Sequence, residues 1–292
     1  MIRILVTGGC GQLAQALAAT QGKFKNMHVA FEAKQSLDIT RLADLRAYLA
    51  KNSVDYVINC AAYTHVDQAE QERAQAYTLN TVAATYLAAL AQEQRFTLWH
   101  ISTDYVFGGN RAYPYSEDMP THPVNYYGET KMLGEQKILA THPGAYIIRT
   151  GWLYRAVGNN FLTRFLRQAQ KKSPITMAYD RIGSPTYADD LAQSIWHMLQ
   201  QHYQEPHAYM PGIYHYTNEG LASRYDFAWV IKHYIGLPCI LEPGLTKHVA
   251  SVAQRPAYSV LNTAKIKTVF GLRIAHWQDS LIRCLQHVDK GL

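Results

Sequence analysis

A chain of 292 residues, 48% hydrophobic and 17% charged, can bury a large core in one domain or in two closely joined ones. The net charge of +6 is mild and the basic residues are dispersed, which speaks against a nucleic-acid stripe and allows anionic small molecules such as nucleotides. Cys10, Cys60, Cys239 and Cys284 are too far apart for a Cys-x-x-Cys, so neither a metal site nor a disulfide framework is expected.

Ile2-Arg3-Ile4-Leu5-Val6-Thr7 reads as a buried parallel strand and leaves no room for a signal peptide. No apolar run reaches the ~20 residues of a membrane span, and the expected location is the cytoplasm. Gly8-Gly9-Cys10-Gly11-Gln12-Leu13-Ala14 follows the strand and opens a helix. Gly8 permits a tight turn, Gly11 lets backbone approach a pyrophosphate, and Ala14 allows close packing, a variant of the dinucleotide fingerprint. The helix N-terminus adds unpaired N–H donors for phosphate. Cys10 and Cys60 are read as small buried thiols.

His28 to Glu32 is the expected second strand, with Glu32 standing 21 residues after Gly11. An acid there meets a ribose 2′-hydroxyl and favours NAD, whereas Lys34 favours the extra phosphate of NADP. Asp38-Ile39-Thr40 is read as the cap of a helix from Arg41 to Lys51, at a position that also borders an adenine site. Asp55 to Tyr63 reads as a third strand ending in the small residues Ala61 and Ala62, which leave room for a cofactor in the crevice. Val66 to Gln94 reads as one long helix, with Asn80 an unfavourable mid-helix residue that bonds to a neighbouring loop. Strand and helix alternate up to Thr150, as in a doubly wound parallel sheet. Residues 152–292 then read as a mixed, mainly substrate-binding lobe interleaved with a dinucleotide-binding domain of residues 1–151.

The stretch from Leu98 to Lys131 carries the chemistry. A buried strand delivers Ser102-Thr103-Asp104-Tyr105, and after a loop a helix presents Tyr127 and Lys131 on one face. With 21 tyrosines, chance alone supplies about one Tyr-x-x-x-Lys pair, so its weight rests on its place 24 residues after Thr103 and downstream of the glycine turn. A hydroxyl, a phenol and a lysine at one point suit protonation of a carbonyl oxygen during hydride transfer.

Together these residues resemble the extended short-chain dehydrogenase/reductases, and among them the dTDP-4-dehydrorhamnose reductase family. The matching motifs span nearly the whole chain: Thr7 to Leu13, Asn59 to Thr64, Ser102-Thr103-Asp104-Tyr105-Val106-Phe107-Gly108, Tyr127-Gly128-Glu129-Thr130-Lys131, Arg149 to Tyr154, Gly183 to Thr186 and Arg255-Pro256. The resemblance implies a Rossmann-type fold and reduction of a dTDP-4-keto-6-deoxyhexose by NADPH or NADH. It implies Thr103, Tyr127 and Lys131 as the catalytic trio, and Gly8, Gly11, Gln12, Leu13, Glu32, Asp38, Ile39, Ala61, Ala62 and Tyr63 at the cofactor. Thr103, Asp104, Tyr105, Tyr127, Trp152 and Arg255 fall to the substrate.

Lys131 is expected to hold the nicotinamide ribose and favour an ionised Tyr127; lowering the phenol from ~10 towards ~7 is worth about 4 kcal/mol. The chain departs from the family at Ala14, His65, Gly151 and Arg181. Some members dimerise through a metal held by glutamates; Ala16 stands at such a position, so no metal is assigned and a homodimer stays an open expectation. Plainer readings compete residue by residue. Trp152 fits a core aromatic, Asp104 a turn cap, and Arg255 a surface salt bridge. The alternative activities are another sugar-nucleotide reductase or epimerase, a dehydratase, and a non-catalytic NADP-binding subunit like that of methionine adenosyltransferase. A dehydratase fits poorly, because Thr103-Asp104-Tyr105 lacks the Asp-Glu pair expected after the hydroxyl residue.

Overall fold

The apolar run at the N-terminus becomes the strand from which the site is built. In the computed structural model, which describes residues 1–248 and 252–288, β1 (Ile2–Thr7) is flanked on both sides and buries Leu5 and Val6 completely. It joins β2 (Met27–Glu32), β3 (Tyr56–Asn59), β4 (Thr97–Thr103), β5 (Tyr146–Thr150) and β6 (Gly212–His215). These form a six-stranded, wholly parallel sheet in the order β6-β5-β4-β3-β1-β2. The strand order reverses between β1 and β3, and a crevice opens beyond their carboxyl ends, where doubly wound sheets bind ligands.

Successive side chains of a strand point to opposite faces. Ile4, Val6, Ile58 and Trp99 therefore pack one way, against α1 (Gln12–Thr20) and Trp196 and Leu199 of α6 (Ala188–Gln204). Leu5, Val57 and Leu98 pack the other way, against α2 (Leu42–Lys51) and α3 (Ala83–Gln94). A separate core joins α5 (Phe161–Ala169), α7 (Arg224–Ile235) and α8 (Trp277–Leu285) through Phe165, Phe227, Trp277 and Leu281. The chain returns from this lobe to the sheet twice, with α6 packed on α1 and β6 paired with β5. Beside α3, on the same face of the sheet, runs α4 (Tyr126–Thr141), which buries Ile138 there.

Four expectations need correction. Val66 to Gln94 is not one helix; it breaks into Val66–Ala69, Arg73–Tyr77, a π turn at Thr78–Val82, and α3. Tertiary bonds override helix propensity here: Glu70 accepts from the Tyr126 N–H at 2.9 Å and Glu72 from the Tyr63 hydroxyl at 2.7 Å. Asn80, in the π turn, does bond to a neighbouring loop, accepting from the Tyr63 N–H at 2.8 Å and donating to the Tyr63 carbonyl at 3.1 Å. The third strand ends at Asn59, whose side chain accepts the Ala61 N–H and turns the chain out of the sheet. Asp38 caps its own turn at Thr40, and the residue before α2 is Arg41. Cys10 is exposed on the crevice loop, whereas Cys60, half-buried, packs against the core.

Candidate active site

At one end of the crevice the site is made of backbone. Gly8 turns the chain out of β1 at φ +69, and a Cβ there would lie 2.8 Å from the Ala61 backbone. The Gly11 N–H closes the turn on the Gly8 carbonyl at 2.7 Å. Gly11 then starts α1 with no side-chain cap, so the first N–H groups of the helix face the crevice as anion donors. Gln12 Oε1 is buried without a hydrogen-bond partner. An acceptor left bare in this way suits a hydroxyl or amide of a bound nucleotide.

A cavity of about 630 Å³ runs from Cys10, Gly11, Gln12 and Leu13 past Cys60 and Ala62 to Thr103, Tyr127 and Lys131, and ends at Trp152, Asn160 and Arg224. Gly8, Ala61 and Tyr63 form the turns behind this wall and do not line it. Glu32, Asp38 and Ile39 also stand outside it. The Glu32 carboxylate accepts from the Tyr48 hydroxyl at 2.9 Å and from Ser36. Burial pushes the Asp38 carboxyl up, but two hydrogen bonds from Thr40 and nearby cations hold it below its ordinary value. Ile39 is a core residue.

At the other end the site is made of buried side chains. Thr103 closes β4; its hydroxyl accepts the Tyr105 N–H at 3.1 Å and lies 3.2 Å from Asp104 Oδ1. Asn125 caps α4 by accepting the Gly128 N–H at 2.8 Å, which sets Tyr127 in the first turn with its phenol on Thr103. Burial raises that phenol well above its ordinary value, and the Thr103 bond opposes the rise only in part. The expected lowering is therefore absent. Its expected cause, Lys131, is turned to β4: Nζ donates to the Ile101 carbonyl at 2.7 Å and sits 3.0 Å from His100 Nε2. Burial draws the amine down to about 8, against the pull of Glu135. Tyr126 faces away, under the Arg73 guanidinium at 3.8 Å.

Asp104 is buried beside this pair, and desolvation lifts its carboxyl to about 6 despite hydrogen bonds from Ser259 and Thr103. It accounts for Gly151, since a Cβ there would lie 2.5 Å from the Asp104 carboxyl carbon. Trp152 lines the cavity from a left-handed backbone, φ +49, with its indole pressed on Gly183. The Arg224 guanidinium covers the indole at 3.6 Å and approaches the Phe161 ring at 4.9 Å. Burial lowers Arg224 to about 10. Arg255 does not line the cavity; it pairs with Asp67 at 2.6 Å and braces the Tyr105 hydroxyl from behind. Tyr105 in turn meets Tyr127 edge to face, ring centres 6.1 Å apart.

Sequence reasoning missed Arg224. One signal was available: Ser223 and Asp226 form a capping box, which makes Arg224 the first residue of α7. A cation there opposes the helix dipole and needs another reason to be present. The buried support of β4 was missed as well. Arg149 and Glu135 pair at 2.6 Å, both nearly inaccessible, and Ser102 donates to the same carboxylate. Among the described residues no group of His, Cys, Asp and Glu could hold a metal ion, and no helix is long and apolar enough to cross a membrane.

Comparison with known proteins places this geometry among relatives. Residues 2–290 match the RmlD substrate binding domain family. The spore coat polysaccharide biosynthesis protein SpsK of Bacillus subtilis is 37% identical over 98% of each chain. A dTDP-4-dehydrorhamnose reductase of Aggregatibacter actinomycetemcomitans is 35% identical over 96% of this chain and 97% of its own. The crystal structure of dTDP-4-dehydrorhamnose reductase from Bacillus anthracis in complex with NADP superposes with a TM-score of 0.90 at 34% identity, covering 98% of this chain and 99% of that one. The match runs from end to end of the chain, and the chain belongs to the RmlD substrate binding domain family.

Proposed function

We propose that this chain reduces the 4-keto group of a dTDP-4-keto-6-deoxyhexose, taking dTDP-4-dehydrorhamnose to dTDP-L-rhamnose, with NADPH or NADH as reductant. The observation that carries the reading is the Thr103–Tyr127 pair, two O–H groups side by side at the wall of a cavity that also reaches the glycine turn. The glycine turn, the open N-terminus of α1 and the bare Gln12 oxygen fit a dinucleotide. Glu32 and Lys34 pull the 2′-position in opposite directions, so both cofactors serve. Asp38 and Ile39 border the adenine in this reading, and Ala61, Ala62 and Tyr63 flank the cofactor.

The bound nicotinamide supplies the hydride; the remaining work belongs to the chain. Thr103 and Tyr127 hold the keto oxygen between two donors. A phenol raised by burial keeps its proton at neutral pH and gives it up only to a stronger base, the alkoxide that develops as the carbonyl is reduced. Lys131 meets the nicotinamide ribose. Trp152 forms the floor under the sugar, and Asp104 and Tyr105 complete its wall. Arg224, and Arg255 through Tyr105, face the anionic nucleotide. Residues 1–151 hold the cofactor and 152–292 mainly the sugar. Cytoplasmic action without nucleic acid or membrane, and assembly as a homodimer, belong to the same reading; cell fractionation and light scattering test them.

The deciding assay follows loss of NADPH absorbance with the keto sugar nucleotide and identifies the product. Stoichiometric oxidation with formation of the 4-hydroxy sugar is expected. Product without net oxidation would make the chain an epimerase or dehydratase, and NADPH binding without turnover would make it a regulatory subunit.

A further inference from the structure

His100 lies behind the reacting end, fully buried in β4 and outside the cavity lining. Its two ring nitrogens meet two side chains, and the partners of those side chains decide where its proton sits. Nδ1 is 3.0 Å from Asn59 Nδ2, and Nε2 is 3.0 Å from Lys131 Nζ. The orientation of the Asn59 amide is fixed from its far side, where Oδ1 receives the Ala61 N–H at 3.2 Å and the Thr7 hydroxyl at 2.7 Å. A backbone N–H can only donate, so the carbonyl oxygen must face it and the NH₂ must face His100. Nδ1 is therefore an acceptor. A neutral ring that accepts at Nδ1 carries its proton on Nε2, and that N–H points at Lys131.

An ammonium has three donors and no lone pair. At 3.0 Å it would set N–H against N–H, whereas a neutral amine accepts from His100 while still donating to the Ile101 carbonyl at 2.7 Å. We propose that His100, held as the Nε2–H tautomer by Asn59, is a positioning residue that favours the neutral amine of Lys131 in the cofactor-free protein. Lys131 then takes up a proton from solvent when the cofactor arrives.

The other groups facing Lys131 are Glu135 on its own helix and Cys60 on the loop after β3. Both pull the amine up, but Glu135 is turned into its pair with Arg149. Burial outweighs both, and it holds His100 well below its ordinary value, so the ring stays neutral. With no cation beside it, the Tyr127 phenol is left high until the site fills. That last consequence rests on the proposed reductase reading; the tautomer does not.

The test uses the full-length, cofactor-free protein. Two-bond ¹H–¹⁵N correlation of labelled histidines, with His100 assigned through His100→Gln, should show an Nε2–H ring that does not titrate. Titration of labelled lysine Cε signals, assigned through Lys131→Met, should give Lys131 a midpoint at or below about 8. Asn59→Asp presents an acceptor to Nδ1. It should switch His100 to the Nδ1–H tautomer and raise the Lys131 midpoint by about one pH unit or more. An Nδ1–H ring in the unaltered protein, or a Lys131 midpoint near the ordinary 10.5, overturns the proposal. Should Asn59→Asp fail to fold, the unaltered protein alone decides. A merely structural His100 would keep its tautomer in Asn59→Asp, with any rise of the Lys131 midpoint then due to the new charge alone. Failure of the reductase assay would change neither measurement.

Discussion

The two ends of the crevice solve different problems with different materials. The glycine-turn end has few side chains to aim: its donors are backbone N–H groups, and its shape comes from residues too small to obstruct. The reacting end is the opposite. It gathers Thr103, Asp104, Tyr127, Trp152 and Arg224 from four separate segments, and burial displaces the ionisation of Asp104, Tyr127 and Arg224. The contrast teaches that binding an invariant nucleotide needs geometry, whereas reducing a carbonyl needs protons held where water does not level them.

Removing one proton from the reacting end should therefore have the largest effect. Tyr127→Phe deletes the acid, and general acid catalysis typically contributes 10²–10⁴-fold. Turnover should fall by about that factor, with NADPH affinity and melting temperature unchanged. The adjacent Tyr126 is the control, since it faces Arg73. Tyr126→Phe should stay within about threefold of the unaltered protein. Equal losses in the two variants would move the acid elsewhere.

Asp104 sharpens the contrast through stability. Its carboxyl titrates at about 6 in the fold against an ordinary 3.8. The folded chain thus holds this proton more tightly than the unfolded chain, and the associated stability is complete below 3.8 and lost as pH rises to about 6. The loss amounts to about 3 kcal/mol. Asp104→Asn cannot ionise, so the variant should gain on the unaltered protein by about that amount across the window, measured by chemical denaturation at both ends of it. A constant difference would show that Asp104 is already ionised in the fold.

What was legible in the sequence follows the same division. The glycine turn could be read because Gly8 and Gly11 stand three positions apart in one short turn and a local conformation demands them. The apolar runs could be read as strands because a parallel sheet buries both faces of each. Thr103, Tyr127 and Trp152 came from motifs, and the cavity gathers all three. The rest was hidden because it depends on contacts across the fold. The helix from Val66 breaks because Glu70 and Glu72 bond to Tyr126 and Tyr63. The Tyr127 phenol rises with burial, and Lys131 does not offset the rise because it is turned to Ile101 and His100; no spacing rule shows which way a lysine turns.

The glycine-turn end should break through backbone alone. Gly8→Ala places a methyl group at φ +69 and 2.8 Å from Ala61 Cα, so the turn or the loop after β3 must move. Strain of this kind costs about 1–3 kcal/mol. NADPH affinity should weaken by about ten- to a hundredfold, while turnover at saturating cofactor stays close to normal. A variant that binds normally but turns over slowly would mean that the turn also shapes the reacting end.

Trp152 gives the smallest effect and the finest separation, because it serves the sugar and carries strain at once. Its indole lines the cavity, pressed on Gly183 and covered by the Arg224 guanidinium at 3.6 Å, so its position is held from within the fold. Losing an aromatic face of this kind costs about 1 kcal/mol. Trp152→Ala should therefore raise the Michaelis constant for the sugar nucleotide about fivefold with NADPH affinity intact. Alanine still occupies the left-handed conformation at φ +49, which costs an L-residue about 1–2 kcal/mol, whereas glycine does not resist it. Trp152→Gly should thus melt higher than Trp152→Ala while showing the same Michaelis constant. If the two variants differ in sugar affinity as much as in stability, the indole acts by fixing the backbone after β5, and the sugar rests on something else.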